Sequence, residues 1–126
     1  MRLLSVLACL LFIPAFVLAE ETPKPLTPAE AATKVKEKVT VQMQVKSTGG
    51  RENCYLNSEE DFKSDANFTI FLSKDAKEKF KKAGIENPVE YYKLKTIQVT
   101  GTVIVVEKKP RIAVNEPTEL KVIEKK

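Results

Sequence analysis

Histidine and tryptophan are absent from this 126-residue chain, glycine occurs four times and cysteine twice. Without histidine no side chain has an ordinary pKa near neutrality, which excludes a histidine general base and removes the commonest zinc, copper and iron ligand. Charge of neither sign dominates, with 21 basic residues against 17 acidic ones. Carboxylates do cluster at Glu59-Glu60-Asp61, but they have no glycine-punctuated ligand loop and no companion nucleophile, so they read as a polar connection. No metal, no cofactor and no catalysis are expected.

Long apolar runs are lacking everywhere except at the start. Between Met1 and Ala19 only Arg2, Ser5 and Pro14 fall outside the apolar set, and Val17-Leu18-Ala19 precede Glu20-Glu21. One early positive charge, a hydrophobic stretch and small residues before acids make a secretory signal peptide over residues 1–19. Its alternative is a retained anchor, against which stand the proline within the run and the lack of a basic stop-transfer cluster. Removing residues 1–19 leaves 107 residues with 20 basic and 17 acidic side chains, enough for one small domain. Export to the periplasm or the extracellular space is expected, with no transmembrane anchor after cleavage. Cys9 leaves with the leader, so Cys54 is the lone thiol and no disulfide within the mature chain can form. Its place beside Leu56 favours a buried, inert thiol over a redox sensor.

Residues 20–26 carry two prolines and two acids and read as a flexible spacer; the domain is expected over 27–126. Thr27-Pro28-Ala29-Glu30 is a capping box with proline at the first helical position, predicting a helix over 28–35. From Lys38 the period becomes two: Val39, Val41, Met43 and Val45 share one face, Thr40, Gln42, Gln44 and Lys46 the other. Ser47-Thr48-Gly49-Gly50 then predicts a turn, and Asn53–Ser58 a second strand with Cys54 and Leu56 inward and Tyr55 and Asn57 outward. After a polar connection over 59–67, a third strand directs Phe68, Ile70 and Leu72 to the core, with Thr69 and Phe71 facing out. Ser73 or Asp75 caps an amphipathic helix whose apolar positions are Ala76, Phe80 and Ala83, ending at Gly84. Lys74, Lys77, Lys79, Lys81 and Lys82 on its other face suit either anionic lipid and polymers or plain solvation. Tyr91-Tyr92 are expected to pack. A long strand runs from Ile97 to Val106, where Gly101 signals a bulge or bend; two further segments, Arg111–Val114 and Glu119–Ile123, also alternate.

Short one-sided strands with a helix between the third and fourth predict a mainly β fold: a small five-stranded antiparallel barrel of the oligonucleotide/oligosaccharide-binding (OB) type with a short N-terminal helix. The wording of the chain also resembles a group of small exported bacterial OB-fold proteins. The resemblance rests on Pro28-Ala29-Glu30-Ala31-Ala32, Lys38-Val39-Thr40-Val41, Leu56-Asn57, Phe68-Thr69, Val99-Thr100-Gly101 and Pro110 through Pro117. Lys36, where a glycine usually precedes strand one, Met43, where a small residue is usual, and the glycine-free turn between strands four and five depart from that pattern. The resemblance implies nucleic-acid binding. OB-folds bind through the outer faces of strands two and three and the neighbouring loops, using aromatics for stacking and cations for phosphates. Matching positions here are Tyr55 and Phe71, with Asn57 and Thr69 on the same face and Lys46, Arg51, Lys108, Lys109 and Arg111 around them. Expected partners are single-stranded nucleic acid or, alternatively, an envelope protein or polysaccharide; the same residues also suit an ordinary solvated strand face.

Overall fold

The computed structural model describes residues 24–123. The leader at 1–19, the spacer residues 20–23 and the chain end at 124–126 lie outside the described residues. Within them the order is α1 (Pro28–Ala31), β1 (Lys38–Gln44), β2 (Ser47–Gly49), β3 (Cys54–Asn57), β4 (Thr69–Leu72), α2 (Lys74–Lys82), α3 (Pro88–Tyr91), β5 (Thr96–Val106), β6 (Lys109–Val114) and β7 (Leu120–Val122). Among the described residues no helix is long and apolar enough to cross a membrane.

The sheet has seven strands in the order β1-β5-β6-β4-β3-β2, with β7 beside β5. Two features differ from the expected five antiparallel strands. The first strand is broken at Val45-Lys46: Val45 donates its N–H to Lys95 O at 2.8 Å while Lys46 donates to Asn57 O at 2.9 Å, so the chain changes partner from β5 to β3. Ser47-Thr48-Gly49, expected in a turn, therefore forms β2 and pairs with Asn57-Leu56-Tyr55. The second difference is that β4 and β6 pair in parallel, because α2, α3 and β5 intervene and return the chain in the direction of β4. β5 serves three partners, with Thr96–Thr102 on β1, Ile97–Val99 also on β7, and Val103–Val106 on β6. Gly101 lies where the strand passes from β1 to β6, and a Cβ there would meet Ile112 Cγ2 at 2.5 Å.

Alternation decides what fills the interior. Val41, Val45, Cys54, Leu56, Ile70, Leu72, Ile97, Val99, Val103 and Ile112 are fully buried, closed at one end by Phe80 of α2 and by Tyr92. Each large side chain removed from water here is worth about 1.5–3 kcal/mol. Ser73 caps α2, accepting from Ala76 N at 3.2 Å, and Ala76 and Phe80 face inward. Ala83, expected on the same apolar face, is exposed because it is the C-terminal cap. The Thr27–Glu30 capping box forms in both directions, at 3.1 and 2.9 Å. The helix it opens stops at Ala31 rather than residue 35, since the chain must turn back into β1 through Lys36, whose φ is +74°. Leu26, placed in the spacer by sequence, docks on β1, donating to Thr40 O at 2.8 Å and accepting from Gln42 N at 2.9 Å. That edge of β1 is thereby part of the folded domain, and its partners hold Leu26 rather than leaving it flexible.

Candidate nucleic-acid interface

The outer face of β3 and β4 is built by register. Tyr55 lies opposite Phe71, and Asn57 opposite Thr69. Parallel pairing sets Thr69 beside Arg111, and β2 sets Ser47 beside Asn57 and Gly49 beside Tyr55. Two rows cross four strands: Ser47, Asn57, Thr69 and Arg111 in one, Gly49, Tyr55, Phe71 and Ala113 in the other.

The second row is aromatic and the first supplies its cation. The rings of Tyr55 and Phe71 are 5.3 Å apart and tilted by 45°. Arg111 lies over both, its guanidinium carbon 5.1 Å from the Phe71 centroid and 5.8 Å from that of Tyr55. A guanidinium held on aromatic faces keeps its charge while shedding water, a contact of about 0.5–2 kcal/mol. Arg111 Nε is buried and has no hydrogen-bond partner among the described residues.

Asn57 and Thr69 form a polar floor. Asn57 Oδ1 accepts from Thr69 Oγ1 at 3.0 Å and from Asn67 Nδ2 at 3.4 Å, and Asn57 Nδ2 donates to Ser47 Oγ at 3.2 Å. Ser47 Oγ in turn donates to Glu59 O at 2.7 Å. Asn67 holds the loop above, accepting from Glu59 N at 3.2 Å and donating to Phe62 O at 3.3 Å. Asn57, Asn67 and Thr69 are buried, so their polar groups are spent on one another and on the loop.

A groove of about 690 Å³ opens over this face. Tyr55, Asn57, Thr69, Lys109 and Arg111 line it, together with Ser47-Thr48-Gly49-Gly50, Glu60, Phe62, Lys63, Asn67, Val106 and Glu107. Five of the nine sequence-derived site residues are thus brought together. Phe71 supports the groove from behind Arg111 without lining it. Lys46, Arg51 and Lys108 are exposed and lie outside the lining. Lys109 reaches the groove, but its amine donates to Lys63 O at 3.0 Å and Ser64 O at 3.3 Å and sits 3.6 Å from Asp65, tying the β5–β6 turn to the loop after β3.

Glycines keep one side of the groove open. Gly49 has nothing within 4 Å of where a Cβ would sit, so the missing side chain leaves space beside Tyr55. Gly50 has φ +107°, and a Cβ would fall 2.3 Å from Asn53 O, so only glycine suits that turn. Phe62, which sequence reasoning passed over, is 60% exposed and projects at the rim. Its signal was there: a lone large apolar residue within the polar stretch 59–67.

Other candidates fall elsewhere. Cys54 is buried on the inner face, and burial pushes its thiol up to about 12, opposed only weakly by the charge of Lys77. Tyr92 packs at 6.2 Å against Phe80 and at 4.9 Å against Tyr91, and burial raises its hydroxyl pKa; Tyr91 itself is exposed and carries Lys95 4.4 Å above its ring. On α2, Lys77 donates to Arg51 O at 2.8 Å and Lys79 pairs with Glu116 at 2.6 Å, an exposed contact that raises the Lys79 pKa. Among the described residues no three Cys, His, Asp or Glu side chains are grouped to hold a metal ion.

Solved structures share this arrangement of strands. The OBody AM1L10 bound to hen egg-white lysozyme matches with a TM-score of 0.55 at 19% identity, covering 84% of this chain and 100% of the other. Asparaginyl-tRNA synthetase from Pyrococcus horikoshii matches with a TM-score of 0.55 at 18% identity, over 80% of this chain but 23% of its own. An aspartyl-tRNA synthetase from Leishmania major Friedlin gives 0.54 at 12%, again over 23% of its length. The fold is an OB-fold. This OB-fold spans about a quarter of each synthetase chain and the whole of the OBody. No protein-family model matches the chain, and no curated protein matches it.

Proposed function

We propose that the chain is an exported, non-catalytic OB-fold module that binds single-stranded nucleic acid in the groove over β3 and β4. The observation that carries this reading is Arg111 laid on the Tyr55–Phe71 pair beside a 690 Å³ groove. A base stacked there gains about 1–3 kcal/mol and its phosphate meets a cation already stripped of part of its water. Similar folds within two tRNA synthetases support the ligand class. The change of partner at Val45-Lys46 supports reading β1 and β2 as one bent strand of a five-stranded barrel, with this face on its outside.

Fluorescence anisotropy of labelled single-stranded DNA and RNA titrated with the protein tests the reading. Saturable, salt-sensitive binding is expected, with Tyr55→Ala weakening it about tenfold. A flat trace at low salt refutes it. The second reading, an envelope protein or polysaccharide as partner, draws on Glu60 and Glu107, which line the groove and repel phosphate, and on the OBodies that are bound to a protein. It predicts that no oligonucleotide binds at any salt.

A further inference from the structure

The charges around the groove are distributed in a way that limits what it can hold. A strand tracked along its backbone needs a row of free cations, one for each phosphate neutralised. Lys46, Arg51 and Lys108 stand outside the groove. Lys109 lines it, but its amine is occupied by Lys63 O, Ser64 O and Asp65. Glu60 and Glu107 place negative charge on the walls. What remains is Arg111 at the centre, with Nε unpartnered, and exposed Lys63 at the rim, whose amine lies 5.9 Å from the Phe62 centroid.

Stacking surface is better supplied than charge. Tyr55 and the plane of Arg111 offer one stacking surface, and Phe62 stands at the rim, 60% exposed, with the Lys63 amine near its ring at 5.9 Å. Asn57 and Thr69 are committed to their own network and offer little base readout. A volume of about 690 Å³ falls in the range of sites for drug-sized ligands.

Resting on the reading above, we infer that the groove takes a one- to two-nucleotide element, held mainly by stacking among Tyr55, Arg111 and Phe62, with one phosphate on Arg111 and at most a second on Lys63. It does not follow a long backbone.

The test is a series of fluorescein-labelled thymidylate oligomers from about two to about sixteen nucleotides, each titrated across a range of salt. Affinity should rise with length no faster than the number of registers the short site can occupy. The slope of log affinity against log salt should be about −0.7 to −1.4, the value for one or two phosphates on a single strand. Arg111→Gln should remove about half or more of that slope, whereas Lys109→Gln should leave it unchanged. Phe62→Ala should weaken binding about tenfold at every salt without altering the slope. A slope of about −3 or steeper, or an equal loss of slope in the Lys109 variant, overturns the short-site inference while leaving nucleic-acid binding intact. Failure of every oligomer to bind overturns both.

Discussion

β3 and β4 carry two faces of opposite character made from alternate residues of the same short segments. Inward, Cys54, Leu56, Ile70 and Leu72 are fully buried among apolar neighbours. Outward, Tyr55 and Phe71 are half-buried under Arg111, while Asn57 and Thr69 are buried, at 4% and 8% exposure. Period-two alternation separates the faces, but it does not say which outward residues reach solvent. The loop over 59–66, held by Asn67 and Lys109, closes Asn57 and Thr69 off from water, while Tyr55 and Arg111 stay partly exposed in the groove. The outward polar pair Asn57 and Thr69 is therefore structural, and Tyr55 with Arg111 is what the face offers a ligand.

The largest contrast comes from the inner face. Leu56→Ala should cost about 3 kcal/mol, as transfer energy and a cavity are lost together, and urea denaturation will report it. An effect below about 1 kcal/mol would mean that the interior collapses around the gap. Asn57→Ala should cost about 2 kcal/mol, because Thr69, Asn67 and Ser47 lose a buried partner. Amide exchange should then quicken across 59–66; unchanged exchange would show that Asn67 and Lys109 secure that loop without Asn57. Phe71→Ala should cost about 1 kcal/mol, less than Leu56→Ala, since this partly buried side chain gives up chiefly its ring contact with Tyr55 and its place under the Arg111 guanidinium. A loss matching Leu56→Ala would abolish the distinction between the faces.

The smallest effect at neutral pH belongs to Cys54. Its folded-state pKa is raised from 9.0 to about 12 by burial, so the folded chain holds this proton more tightly than the unfolded one. Stability contributed by the neutral thiol is complete below pH 9 and declines as pH rises from there through about 12. Denaturation midpoints should drop across that window in the native protein and drop less in Cys54→Ala. Near pH 8, labelling by a thiol reagent should proceed only as fast as the structure opens. Rapid labelling of the folded protein would place the thiol outside the core.

Much of this was legible in the residues. Capping at Thr27 and Ser73, the inward sets of β1, β3 and β4, and the outward pairing of Tyr55 with Phe71 all follow from local chemistry and a period of two. Two departures from the resembling family's pattern find their explanation only in the backbone. Lys36, Glu107 and Lys108 take φ of +74°, +53° and +68°, conformations in which glycine is the easy choice and each other residue costs about 1 kcal/mol. The neighbouring pairings hold these residues there: Lys36 N donates to Val103 O at 2.7 Å, and the turn at 107–108 joins β5 to β6 in register.

By itself the sequence determined which apolar side chains of β1, β3 and β4 leave water and which face each of those short strands presents, because those choices depend on side-chain polarity and the geometry of a few adjacent residues. Only the tertiary structure decided that β1 breaks at Val45, that β4 meets β6 in parallel, that Asn57 and Thr69 disappear under a loop, and that Arg111 rather than Lys46 or Lys108 reaches the aromatic pair. Each of those outcomes depends on contacts between segments far apart in the chain. Thr69 and Arg111 lie side by side although α2, α3 and β5 separate them in sequence, and local spacing carries no record of that meeting.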